Sequence, residues 1–223
     1  MNLVLLILIP LLTALLVLLA RNKSQVKVIA LAGSAVQLAL AVWLLIAFRN
    51  ERAVNTDQML FTELYKWFPS WGINIHFGVD GISVAMILLT SFVVIAGVLV
   101  SWNVEKMTKE FYFLLLLLSM GAYGFFISLD LFVLFFFLEI AVIPKYLLIG
   151  IWGSGKKEYS ANKLALLLMG GSALVLVGIL GLYFSASPSH TFDLLKLSTQ
   201  QFGLKQQQVI FPLLFVGFGV FTA

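Results

Sequence analysis

An all-α bundle of membrane-spanning helices is the fold class this sequence predicts, and three observations predict it. Of its 223 residues, 61% are hydrophobic and 11% charged, against about 45–50% apolar and about 25% charged in ordinary soluble domains. Apolar runs of about 20 residues, the helical length that crosses a hydrocarbon core about 30 Å thick, recur along the chain. Basic residues gather in the short connections between those runs, the arrangement that orients membrane helices. The chain has no Cys, which excludes disulfides and thiolate-ligated zinc or iron–sulfur centres. The net charge of +4 is spread over loops and forms no nucleic-acid-binding face.

The first span is expected at 3–20. Its basic residues, Arg21, Lys23 and Lys27, follow the apolar run, whereas a cleavable signal carries its positive region first, so the run is read as retained. A second span is expected at 28–48. The segment 49–80 is the one sizeable extramembrane piece, with Trp67, Phe68, Trp71 and Phe77 among polar residues. Such aromatics suit the interface between headgroups and water, so this segment is expected to lie on the outer membrane surface as short helix and hairpin-like structure. In "VDGIS" at 79–83, Asp80 is placed to cap the third span at 82–102, next to the helix's positive end.

Spans at 111–129, 131–152 and 164–186 follow. A seventh run opens at Val209 and is still apolar at Ala223, after 15 residues. That is short for a crossing. The expectation is therefore six full spans plus a truncated seventh, in one transmembrane domain over 1–223 that is part of a longer protein. Arg21, Lys23, Lys27, Lys106, Lys109, Lys156, Lys157 and Lys163 fall on one side, against Arg49, Arg52, Lys66, Lys196 and Lys205 on the other. The positive-inside rule then puts the N-terminus outside.

Several motifs do not survive inspection. "GIWGSGKK" at 150–157 has phosphate-loop spacing but puts Lys157 where Ser or Thr must hold Mg²⁺, and a membrane helix where a strand must precede. Gly153 and Gly155 are better read as ending a helix. "GFGVFT" at 217–222 is half a dinucleotide fingerprint inside an apolar helix. His76 and His190 lie far apart in sequence, in or near outside connections, and no metal site is expected at them. Gly171, Gly178 and Gly181 share a helical face with small neighbours, a packing surface in membranes.

The chemistry concentrates in "LDLFVLFFFLEIAVIPKYLLIGIWG", 129–153. A charge at mid-bilayer depth costs about 2.5–3.5 kcal/mol on insertion scales, and this run carries both Glu139 and Lys145. On a straight helix they stand about 9 Å apart along the axis and about 120° apart around it. Pro144 cannot donate to the carbonyl of Ile140 and distorts the helix there, which gives irregular backbone a use beside a hydrated cavity. The alternative is that Lys145 snorkels to the interface and Glu139 bonds a neighbouring helix.

"LEIAVIPKYLLIGIWG" at 138–153, "GVDGIS" at 78–83 and "GFGV" at 217–220 resemble the antiporter-like membrane subunits of respiratory complex I, the group that includes chain M of bacterial proton-translocating NADH:quinone oxidoreductase. The resemblance runs in span order along the whole chain. It implies a 14-helix fold of two inverted repeats in the inner membrane, of which this would be the N-terminal half, and proton translocation driven by quinone reduction elsewhere. It implies that Glu139 is the half-channel carboxylate, with Pro144 after it. It also implies partner membrane subunits, with NADH, flavin, iron–sulfur clusters and quinone held on other chains and no cofactor here. The family usually has a Lys in the seventh span where this sequence has Phe221. Lys145 is a candidate replacement, brought by the Pro144 kink toward the cavity of Glu139. A multisubunit cation/proton antiporter, a membrane-bound hydrogenase or a non-transporting structural subunit are the alternatives.

Overall fold

The computed structural model describes residues 2–186 and 190–222, so the last residue of the seventh run, Ala223, lies outside the described residues. Eight helices and one β-hairpin follow in order: α1 (Leu5–Leu19), α2 (Lys23–Arg52), β1 (Leu60–Phe68), β2 (Ile73–Val79), α3 (Gly81–Val100), α4 (Thr108–Ile127), α5 (Leu131–Trp152), α6 (Lys157–Ser185), α7 (Leu194–Ser198) and α8 (Leu204–Thr222). Among the described residues, six helices, α2 to α6 and α8, are long and apolar enough to cross a membrane. The bundle matches the predicted fold class, but its ends differ from expectation. At 15 residues α1 falls short of a full crossing, whereas α8 is longer than predicted because Lys205 to Gln208, polar in sequence, are helical.

The outer helices bury one stripe and turn the rest outward, whereas the central α4 is buried on several faces. On α2 the buried residues are Val26, Ala30, Ser34, Gln37, Ala41, Leu44 and Phe48, a spacing of three or four that keeps them on one face. The outward faces, such as Leu8, Leu12, Leu15 and Leu19 on α1, are exposed leucines, as a lipid-facing surface requires. Since lipid is as apolar as leucine, close approach holds the helices together. A Cβ added at Gly33 would lie 2.2 Å from Thr13 of α1, and one at Gly124 would lie 2.3 Å from the Phe137 ring of α5. The glycine face of α6 receives α8: Cβ atoms at Gly171 and Gly178 would meet Val220 at 2.8 Å and Leu214 at 2.6 Å.

The hairpin pairs β1 and β2 antiparallel, with Leu64 opposite His76 and Lys66 opposite Asn74. A 3₁₀ turn at Pro69–Trp71 joins them and closes at Gly72, whose φ of 67° favours glycine. Trp67, Phe68 and Trp71 are exposed, but Phe77 is only 4% exposed. The expectation of an interfacial Phe77 is thus corrected, because β2 is the inner strand and packs on the ends of α3, α4 and α5.

The helix ends sort into two sets. At one, Leu3 N donates to Glu63 Oε1 (3.3 Å), Leu129 N to His76 O (2.8 Å) and Leu131 N to Phe192 O (2.9 Å). This end gathers the N-terminus, the hairpin and the 191–194 segment. At the other, Trp152 Nε1 donates to Lys106 O at 2.8 Å, and Ala20 and Val26 pack with Val98 and Tyr112. The connections rich in Lys and Arg therefore share the end opposite the hairpin.

Candidate functional site

The start of α5 is fixed by Asp130, which has no solvent exposure. Its Oδ1 accepts from Phe132 N (2.9 Å) and Val133 N (3.2 Å), and its Oδ2 accepts from Asn74 N of the hairpin at 3.1 Å. One carboxylate thus caps α5 and ties it to β2. Burial pushes Asp130 above the usual carboxylate range, and the three N–H donors only partly offset it. Asp80 plays the corresponding capping part for α3, accepting from Ser83 N at 2.7 Å.

Glu139 lies nine residues beyond Asp130, about 13 Å deeper along the axis. It is half-buried and lines a groove of about 730 Å³ between α5 and α6, with Phe136, Ile140, Tyr146, Asn162 and Met169. The Ser172 hydroxyl of α6 is the polar group beside it. Its Oε1 is buried with no hydrogen-bond partner among the described residues. Unpaired buried polar atoms are rare because each forfeits its hydration. Pro144 adds a second acceptor nearby, since it leaves the carbonyl of Ile140, on the same groove, without its helical N–H donor.

Lys145, half-buried, lines a different cavity of about 620 Å³ between α4, α5 and α8, together with Gly121, Phe137, Ala141, Phe218 and Phe221. The two cavities share no lining residue. The expectation that the Pro144 kink carries Lys145 into the cavity of Glu139 is thereby corrected. The physical reason is that α5 stays helical from Leu131 to Trp152 through Pro144, so the rotation of about 120° between the two positions persists. What the structure does bring together is Lys145 and Phe221, the position that the resemblance assigns to a lysine.

Two polar features lay beyond the sequence reading. His76, 8% exposed, places Nδ1 2.9 Å from Oδ2 of Asp193, itself 3% exposed. Their separation of 117 residues left no local spacing to notice. Gln37, in the middle of α2, donates from Nε2 to Leu6 O at 3.1 Å, while its Oε1 is buried without a partner among the described residues. Nearby helices α3 and α4 are joined by Ser91 and Tyr123, whose hydroxyls lie 2.9 Å apart. Among the described residues, no group of three or more His, Asp or Glu forms a cluster able to hold a metal ion.

Comparison with known proteins gives this geometry its context. Residues 128–223 match the family described as NADH:quinone oxidoreductase/Mrp antiporter, transmembrane region. A relative, NAD(P)H-quinone oxidoreductase chain 4 1 of Thermosynechococcus vestitus, is 35% identical over 86% of this chain and 35% of its own length. The chain spans about a third of the length of the curated relatives it matches. Its fold is similar to a chain of respiratory complex I from Thermus thermophilus, with a TM-score of 0.82, 24% identity and coverage of 97% of this chain and 43% of that one. It is also similar to a chain of the Mrp complex from Dietzia sp. DQ12-45-1b, with a TM-score of 0.79, 15% identity and coverage of 98% and 23%. The region that carries Glu139, Pro144 and Lys145 is the region the family model matches, and the chain is similar there to the antiporter-like membrane subunits that this NADH:quinone oxidoreductase/Mrp antiporter family describes.

Proposed function

We propose that this chain is part of a proton-translocating membrane subunit of an NAD(P)H:quinone oxidoreductase, with Glu139 as its proton-handling carboxylate. The observation that carries this reading is the open oxygen of Glu139. A glutamate that served only to join helices would satisfy both oxygens within the bundle, whereas Oε1 has no partner among the described residues. The carbonyl of Ile140, which Pro144 deprives of its helical N–H donor on the same groove, suits water entering beside it. Quinone, nicotinamide, flavin and iron–sulfur chemistry belongs in this reading to other subunits, and the chain supplies the path through the bilayer. The basic residues at the end opposite the hairpin support an orientation in a bacterial inner membrane with the hairpin and N-terminus outside.

In the same reading Lys145 supplies, from α5, the ammonium that the resemblance assigns to the helix here called α8. Its support is the cavity shared with Phe221. It acts on Glu139 through the field of the helix and not by contact. Two unit charges about 13 Å apart, as the rise and rotation between the two positions place them, interact at an effective dielectric constant near 20 by about 1.3 kcal/mol, enough to bias a proton equilibrium roughly tenfold. A subunit of a cation/proton antiporter is the second reading, favoured by the family description and by the fold similarity to the Mrp complex.

The test uses the intact complex in sealed vesicles, with Glu139→Gln and Glu139→Ala. A group that transfers protons typically contributes about 10²–10⁴-fold, so translocation falls by about 10²-fold or more in both variants. Undiminished translocation in either variant overturns the assignment. Translocation that requires Na⁺ and no quinone selects the antiporter reading.

A further inference from the structure

We propose that His76 and Asp193 form a proton-dependent clamp that holds the hairpin end of α5 in place, and so act as positioning residues for the helix that carries Glu139. Three segments meet there. The carbonyl of His76 accepts from Leu129 N (2.8 Å), the carbonyl of Leu129 accepts from Leu194 N (2.8 Å), and that of Phe192 accepts from Leu131 N (2.9 Å). Phe77 bridges to Ser128 and Asp130 bridges to Asp193 as isolated antiparallel pairs. The start of α5 is thus stitched on one side to β2 and on the other to 191–194.

The two outer segments are then joined to each other through the imidazole of His76 and the carboxylate of Asp193, at 2.9 Å. Asp193 is also committed elsewhere, its Oδ1 accepting from Leu195 N (3.0 Å) and Lys196 N (3.2 Å) at the start of α7. Only Oδ2 is free to answer the imidazole. A neutral imidazole gives that oxygen one ordinary hydrogen bond, and a protonated one gives it a charge-assisted bond in a buried site, roughly twice as strong. The strength with which the ring of segments closes therefore depends on one proton.

The charged and titratable neighbours leave this pairing in place. Asp193 faces the imidazole directly. Asp130 adds a second buried negative charge at the same corner, close enough to act on Asp193. Asp80 is committed to capping α3. Glu63 and Tyr65 on β1 bond each other, Lys66 on β1 is exposed, and Lys196 on α7 is exposed. None of these supplies Asp193 with another cation.

The consequence for Glu139 rests on the function proposed above, but the clamp is tested without it. Hydrogen–deuterium exchange is followed at Leu129, Leu131 and Leu194 in the intact membrane complex, corrected for intrinsic exchange, from pH 8 to pH 5.5. In the wild-type protein, protection of these three amides rises at least tenfold on acidification. His76→Gln keeps a side-chain donor but cannot gain the charge, and Asp193→Asn keeps the α7 cap but removes the charge that answers it; both lose the rise. A rise preserved in both variants, or absent in the wild type, overturns the clamp. Glu139→Gln keeps the rise whether or not it translocates protons, so failure of the Glu139 reading registers separately.

Discussion

At the scale of single residues, Glu139 and Lys145 show how much a helix constrains its own side chains. Both are chemically conspicuous in an apolar run, and their six-residue separation already puts them on different faces. The structure leaves them there, in cavities on opposite sides of α5 with no common lining residue. This predicts unequal phenotypes. In the proposed function, Glu139→Gln removes the group that holds the proton, whereas Lys145→Met removes a charge acting across about 13 Å and lowers translocation by about tenfold or less. Lys145→Arg keeps the charge and most of the activity. Comparing initial rates of vesicle acidification for the three variants checks the ordering, and a Met variant as active as wild type removes Lys145 from the mechanism.

Elements are positioned by what is missing as much as by what is present. Gly121 and Gly124 let α5 press against α4, and a Cβ at Gly124 would lie 2.3–2.5 Å from three atoms of the Phe137 ring. Gly124→Ala should therefore destabilise the bundle by about 1–3 kcal/mol through overpacking. Gly170 of α6 has nothing within 4 Å of its would-be Cβ, so Gly170→Ala is neutral or gains up to about 1 kcal/mol of helix propensity. Denaturant unfolding of the two variants in detergent reads this contrast directly. Equal effects would mean that the α4–α5 contact is looser than the geometry shows. The hairpin follows a parallel rule, since Gly78 leaves room for Leu129, which a Cβ would approach to 2.5 Å.

For the whole molecule, the two sets of ends predict a topology that is simple to probe. The native chain has no Cys, so single cysteines report without background. In the proposed orientation, Ser70→Cys in the hairpin turn labels with an impermeant reagent added outside intact cells. Lys157→Cys labels only after permeabilisation. The reverse pattern would invert the bundle while leaving its contacts intact.

Hydropathy alone determined that the chain is a helical membrane bundle, because burial in lipid makes every spanning segment declare itself as a continuous apolar run. The charged residues inside such a run declared themselves for the same reason, which is why Glu139 and Lys145 were legible one residue at a time. The extent of α8 was less so, since Lys205 to Gln208 are polar yet helical. Only the tertiary structure decided who meets whom. His76 and Asp193 are 117 residues apart, Phe77 is covered by helix ends, and Lys145 finds Phe221 in place of Glu139. Local patterns fix which way a residue points on its own helix, whereas partners across the bundle depend on how whole helices pack. No spacing along the chain encodes that packing.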